Sequence, residues 1–160
     1  MNFPELKNQA VNSMLAKILI IENEPSLAEK IVRNLKQFNY EVLPVVFRGE
    51  DAIRSIELDK PDLVILDLQF AGDMSGPSLA ELIHQRFGTP VVLVVESSEN
   101  LSLDTVQSIN PYGFVLKDFD NYRFSVVISI ALQKFQTEKR LRESEERLKT
   151  IANFTYNWEY

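Results

Sequence analysis

Asp62-Leu63-Val64-Ile65-Leu66-Asp67-Leu68 is the stretch from which the fold is read. Four aliphatic residues in a row, with no polar alternation, describe a strand covered on both faces, as in a parallel sheet under helices. The run ends on a carboxylate, Asp67, and the loop at residues 69–76 follows. In open α/β sheets ligands gather just outside the carboxyl ends of strands. A charged side chain seldom interrupts such a run unless it is paired or has a chemical task. Ending the strand or capping the next turn is the plainer role, and at this point both readings stand.

Working outward, the same pattern recurs. Ile18-Leu19-Ile20-Ile21 is a buried strand that runs into Glu22-Asn23-Glu24. Pro25 suits the first position of a helix, and Leu27, Ile31, Leu35 and Phe38 form a stripe at helical spacing. Residues 40–47 are rich in β-branched and aromatic side chains and read as a second strand, and Gly49 opens a short helix with Ala52, Ile53 and Ile56 inward. The strand ending at Asp67 is third. A helix over residues 75–87, a fourth strand at 90–95, a more polar helix over 101–109 and a fifth strand at 113–117 complete the alternation. Five strand–helix repeats at spacings suited to right-handed crossovers predict a doubly wound α/β domain.

Composition sets the limits on function. The 160 residues leave room for one domain and an appendage. A net charge of −6 argues against nucleic-acid binding, which needs a basic face. There is no cysteine, hence no disulfide and no thiolate metal site. The longest apolar runs fall far short of the ~20 residues of a membrane span, and the polar N-terminus lacks the hydrophobic block of a signal peptide. A cytoplasmic protein without a membrane partner is expected.

If the first and third strands are neighbours, Glu22, Asn23 and Glu24 meet Asp67 at one edge, and Lys117 reaches the same edge from the fifth strand. Oxygen ligands in a shallow cleft suit a hard cation such as Mg²⁺, which keeps several waters and takes one or two carboxylates. A lysine there can neutralise phosphoryl oxygens. The chemistry that fits is phosphoryl transfer to Asp67 as nucleophile; a simple Lys117–Asp67 ion pair is the alternative. No glycine-rich loop follows the first strand, which counts against a dinucleotide-binding enzyme. His84, the single histidine, has no acidic neighbour and reads as structural.

The segments Ile18-Leu19-Ile20-Ile21-Glu22-Asn23-Glu24-Pro25, Leu63-Val64-Ile65-Leu66-Asp67 and Pro111-Tyr112-Gly113-Phe114-Val115-Leu116-Lys117 resemble the receiver domain of two-component response regulators, over residues 17–135. The resemblance implies a flavodoxin-like sheet in the order 2-1-3-4-5. It implies phosphorylation of Asp67 by a histidine kinase or phosphotransfer domain, assisted by Lys117. It implies Mg²⁺ held by Glu22, Asn23, Asp67 and the backbone carbonyl of Gln69, with Phe114 as the aromatic that swings inward on activation. Four positions depart from the family pattern. Asn23 removes one negative charge from the metal site, while Glu22 is longer than the usual aspartate. Val95 stands at the second switch position, where Thr or Ser normally follows the fourth strand, and Ser97 or Ser98 could lend a hydroxyl instead. Asp118 replaces a proline often found in a cis peptide. A non-proline cis bond costs ~2.5–4 kcal/mol, so a trans bond is expected.

The last helical pattern starts near Asn121 and is long. Beyond residue 136 it becomes highly charged, with Glu138 and Arg142, Glu143 and Arg147, and Glu145 and Lys149 each four apart, acid first. Leu141, Leu148 and Ile151 fit a sparse heptad seam, Ser144 its weak member, so a homodimer through this helix is one expectation and a solvated single helix the other. Leu141-Arg142-Glu143-Ser144-Glu145-Glu146-Arg147-Leu148, with Phe154 and Trp158-Glu159, resembles the lead-in helix and opening of a sensory PAS domain, often followed by a histidine kinase core. The expected organisation is a tail at 1–16, the receiver at 17–135, a linker helix at 136–152, and at 153–160 the first strand of a further domain. A phosphoacceptor receiver signalling through its terminal face and exit helix is the leading function. A degenerate receiver serving as a phosphorylation-independent dimerisation or docking module is the alternative, favoured by Asn23, Val95 and Asp118.

Overall fold

The computed structural model describes residues 16–158, with side chains to Asn153. The tail expected at 1–16 therefore lies, but for Ala16, outside the described residues. Strands β1 (Lys17–Ile21), β2 (Glu41–Val42), β3 (Leu63–Asp67), β4 (Val91–Val95) and β5 (Gly113–Leu116) form one parallel sheet in the order β2-β1-β3-β4-β5. Helices α1 (Pro25–Gln37), α2 (Gly49–Asp59), α3 (Gly76–Phe87), α4 (Leu103–Ile109) and α5 (Asn121–Trp158) connect the strands and follow the last of them. This is the flavodoxin-like receiver topology.

Alternation within β3 divides the core. Leu63 and Ile65 join the cluster under α1 and α5, and Val64 and Leu66 join the cluster under α2, α3 and α4. Every residue of β3 and β4 is buried, because helices cover both faces of the sheet. β2 is shorter than expected. The amides of Glu41 and Leu43 donate to the carbonyls of Ala16 and Ile18, but the next to reach β1 is that of Val46, to Ile20. Val45 is the donor due next in that register, but Val46 takes its place, so an extra residue bulges out and only the Ile21–Val46 bridge resumes the pairing.

The turns that present the site have identifiable causes. Ser75 caps α3 by accepting from the Ser78 amide at 3.2 Å, with Pro77 in the first turn. Gly76 is required by close approach, since a Cβ there would lie 2.3 Å from the Leu68 carbonyl oxygen. α2 has no cap of its own at Arg48. Its first amides, of Gly49 and Glu50, instead donate to the two carboxylate oxygens of Asp73 at 2.8 and 3.0 Å. Those two bonds hold the Asp73 carboxyl below the usual carboxylate range.

α5 starts in the core and leaves it. Phe124, Ile128, Ala131 and Leu132 are buried, and every residue from Lys139 to Asn153 is exposed. The strand expected from Asn153 onward is not formed, because α5 continues through Trp158; Glu159 and Tyr160 lie outside the described residues. Extending a helix that already exists costs far less than starting one, and aromatic residues are only mildly poor helix formers. Among the described residues no helix is long and apolar enough to cross a membrane.

Candidate functional site

The register places the chemistry. Ile21 of β1 pairs with Leu66 of β3, and Asp67 pairs with Val94 of β4, so Glu22 and Asp67 emerge at the same carboxyl edge. Lys117 follows β5, its amide donating to the Val95 carbonyl at 2.9 Å. Asp67 is only 3% exposed. Its Oδ1 accepts from the Gln69 amide at 2.9 Å, and its Oδ2 lies 3.3 Å from Lys117 Nζ.

Glu22 is the second buried carboxylate, 1% exposed. Its Oε1 accepts from the Glu24 amide at 2.9 Å, while its Oε2 has no partner. Burial pushes Glu22 up to about 7; the Glu24 amide opposes this and the neighbouring Asp67 adds to it. Two adjoining carboxylates, one with an orphaned oxygen, invite a proton or a cation between them.

Asn23 reaches the same edge but is exposed, its Nδ2 donating to the Ala71 carbonyl at 3.1 Å. Val95 is fully buried in the apolar cluster under α2, α3 and α4. Ser97 Oγ accepts from the Glu99 amide and caps the turn Ser98–Asn100. Phe114 is 45% exposed and lines a shallow groove with Leu116, Phe119 and Arg123. No cis peptide occurs among the described residues, so the bond before Asp118 is trans, as expected. His84 is half-buried on α3.

Two participants were not anticipated. The Gln69 side chain accepts from Lys117 Nζ at 3.0 Å through Oε1 and donates to Glu96 Oε2 at 3.0 Å through Nε2. A chain of contacts thus runs Glu96–Gln69–Lys117–Asp67 across the mouth of the site. Nothing in the sequence marks Glu96, whereas the role of Asp73 could have been sought from the uncapped start of α2.

Whether the residues suit Mg²⁺ turns on the orphaned Glu22 oxygen beside Asp67. Hard cations take oxygen ligands of this kind, and two carboxylates with water suffice for Mg²⁺. Among the described residues no three His, Cys, Asp or Glu side chains gather into a metal group. Asn23 and a backbone carbonyl would have to complete the set, which fits Mg²⁺ with reduced charge.

A doubly wound sheet holding an aspartate against a lysine at its carboxyl edge, with a second buried carboxylate alongside, defines a receiver-type signalling domain. The chain belongs to the response regulator receiver domain family, which it matches over residues 18–129. Domains of this family generally take Mg²⁺ for phosphorylation and interact with histidine kinases or phosphotransfer partners. The transcriptional regulatory protein YvrH of Bacillus subtilis is 26% identical over 145 residues, covering 91% of this chain and 57% of that protein. The positive alginate biosynthesis regulatory protein of Pseudomonas aeruginosa is 30% identical over 102 residues, covering 62% and 40%. The chain thus spans about half the length of these curated relatives. Among solved structures, the N-terminal domain of a response regulator/sensory box/GGDEF 3-domain protein from Carboxydothermus hydrogenoformans superimposes with a TM-score of 0.70 at 27% identity, covering 76% of this chain and 98% of that one.

Proposed function

We propose that this chain is a phosphoacceptor module of a two-component phosphorelay, taking a phosphoryl group onto Asp67 from a histidine kinase or phosphotransfer domain. The observation that carries this is the buried Asp67 carboxylate, held by the Gln69 amide on one oxygen and by Lys117 on the other. An Asp67 oxygen attacks phosphorus, the phosphorus–nitrogen bond of the donor histidine breaks, and its electron pair returns to the imidazole. Lys117 neutralises charge on the transferred group. Glu22, Asn23, Asp67 and the Gln69 carbonyl are the residues that would hold Mg²⁺, which when bound supplies further positive charge at the phosphoryl oxygens.

The output passes through the face carrying Phe114 and through α5, with a second copy of the chain as partner along that helix. A cytoplasmic setting and a sensory PAS domain after α5, within a larger sensory kinase, extend the reading. A receiver joined to a sensory box in the Carboxydothermus protein supports that order of domains. The second reading, a phosphorylation-independent docking module, is favoured by Val95, which leaves no hydroxyl at the end of β4.

Intact-mass spectrometry after incubation with acetyl phosphate and Mg²⁺, beside Asp67→Asn, separates the two. One phosphoryl adduct on the unaltered chain, absent from the variant and dependent on the metal, is the expected result. No adduct from acetyl phosphate or from a phosphohistidine donor leaves the docking module.

A further inference from the structure

We infer that Lys30, on α1, is a positioning residue for Lys117: it grips the turn that carries that lysine and so holds its ammonium against Asp67. This rests on the phosphoacceptor reading of Asp67 and adds to it a residue from outside the carboxyl edge. Lys117 occupies the first central position of a tight turn, closed by the Phe119 amide donating to the Leu116 carbonyl at 3.1 Å. The Lys117 amide fixes the near side of this turn to β4. No ring stiffens the turn itself, because the exposed Asp118 stands where a proline would lock φ. Its far side therefore depends on Phe119.

Phe119 is held in three ways. Its ring is buried and stacks on that of Phe124, with centroids 4.5 Å apart. Asp120 caps α5, its Oδ1 accepting from the Arg123 amide at 2.8 Å. Phe119 just before the cap and Phe124 one turn inside the helix thus form a hydrophobic staple, which fixes the angle at which the chain enters α5. The third hold is Lys30. Its Nζ donates to the Phe119 carbonyl at 2.9 Å and lies 4.0 Å from the centre of the Phe119 ring. A lysine ordinarily leaves its ammonium in water. This one is half-buried and forms no ion pair among the described residues, so ring and carbonyl together offset its lost hydration.

Its place in the fold gives this grip a use. α1 begins at Pro25, directly after Glu22, Asn23 and Glu24, and Lys30 stands in its second turn. Lys30 therefore ties the helix behind the acidic loop to the turn behind Lys117, the two segments that flank Asp67. The Lys117 ammonium is shared between Asp67 Oδ2 at 3.3 Å and Gln69 Oε1 at 3.0 Å. A loosened turn lets it settle on the amide and leave the carboxylate, and a misplacement of ~1 Å at a reacting centre can cost ~10²-fold in rate.

Lys30→Met keeps an unbranched side chain of similar length and removes the charge and the donor, whereas Lys30→Arg retains both. The rate of phosphoryl adduct formation on the full chain, followed by intact mass with acetyl phosphate and Mg²⁺, should fall about tenfold in Lys30→Met and recover in Lys30→Arg. The Mg²⁺ concentration giving half the rate should not move, because Lys30 touches none of Glu22, Asn23, Asp67 and Gln69. In a Lys117→Ala background Lys30→Met should cost nothing further, since a residue acting through another has no effect once that other is removed. Hydrogen exchange at the Phe119 amide should quicken in Lys30→Met while β3 stays protected, which shows the sheet intact. A loss of equal size in both backgrounds makes Lys30 a general brace and overturns the inference. So does a Lys30→Met chain that reacts at the full rate. An unaltered chain that takes no phosphoryl group from acetyl phosphate or a phosphohistidine donor overturns the phosphoacceptor reading, and this role of Lys30 with it.

Discussion

At Glu22 the fold holds a carboxylate in the form it would not choose in water. Burial raises it to about 7, against 4.5 ordinarily, so the folded chain keeps a proton that the unfolded chain releases between those values. Stability from this group is therefore full below about pH 4.5 and is lost as pH rises through 7. Glu22→Gln should flatten that dependence and raise stability at pH 8 by about 1–3 kcal/mol, as read by urea unfolding at pH 5 and pH 8. The same variant should lose Mg²⁺ affinity, because the oxygen without a partner becomes part of an amide. Asn23→Asp acts in the opposite sense: restoring one negative charge should tighten Mg²⁺ about tenfold, or ~1.4 kcal/mol, in a calorimetric titration. The carboxylates and Lys117 were legible in the sequence because each ends an apolar run, where a charge stands out. Glu96 and the Gln69 side chain were not, since both are exposed polar residues in loops and only the folded geometry joins them to Lys117.

The elements that aim these residues are narrow in their tolerance. The turn from β3 into α3 passes so close to its own backbone that a Cβ at Gly76 would meet the carbonyl oxygens of Leu68 and Asp67 at 2.3 and 2.9 Å. Gly76→Ala should cost at least about 2–4 kcal/mol, since backbone rather than a flexible side chain must yield, and it should displace the loop that carries Gln69. Chemical denaturation with loss of the phosphoryl adduct checks both effects; Pro77→Ala, on the neighbouring residue, should cost about 1 kcal/mol or less. The strands were legible for the reason that makes β3 and β4 rigid, an unbroken aliphatic run buried on both faces. β2 was read too long because its composition is β-prone, while one extra residue between Leu43 and Val46 breaks the register with β1. The end of α5 was misread because local preference in residues 153–158 favours a strand, but the helix before them is already formed and among the described residues no strand pairs with them.

Across the molecule, β5 links the site to the exit helix. Its far end carries Lys117 against Asp67, and Tyr112, just before it, meets α5 where the helix leaves the receiver. The Tyr112 hydroxyl donates to Glu138, and its ring lies edge-on to Phe135 at 6.2 Å. Burial, with Glu138 adding to it, pushes the phenol up to about 12, so this tie persists across the physiological range. Tyr112 thus ties the receiver to α5 at Glu138, and every residue from Lys139 to Asn153 is exposed. Tyr112→Phe keeps the ring and removes the hydrogen bond, which should cost about 1–2 kcal/mol. Hydrogen exchange should quicken in residues 134–142 and not in β3 or β4, because the lost bond anchors α5 alone. Adduct formation at Asp67 should be unchanged, since the β4–β5 amide contacts that hold Lys117 do not involve the hydroxyl. If exchange instead quickens through β5 and phosphorylation slows with it, Tyr112 braces the catalytic edge as well, and strand and helix move as one body.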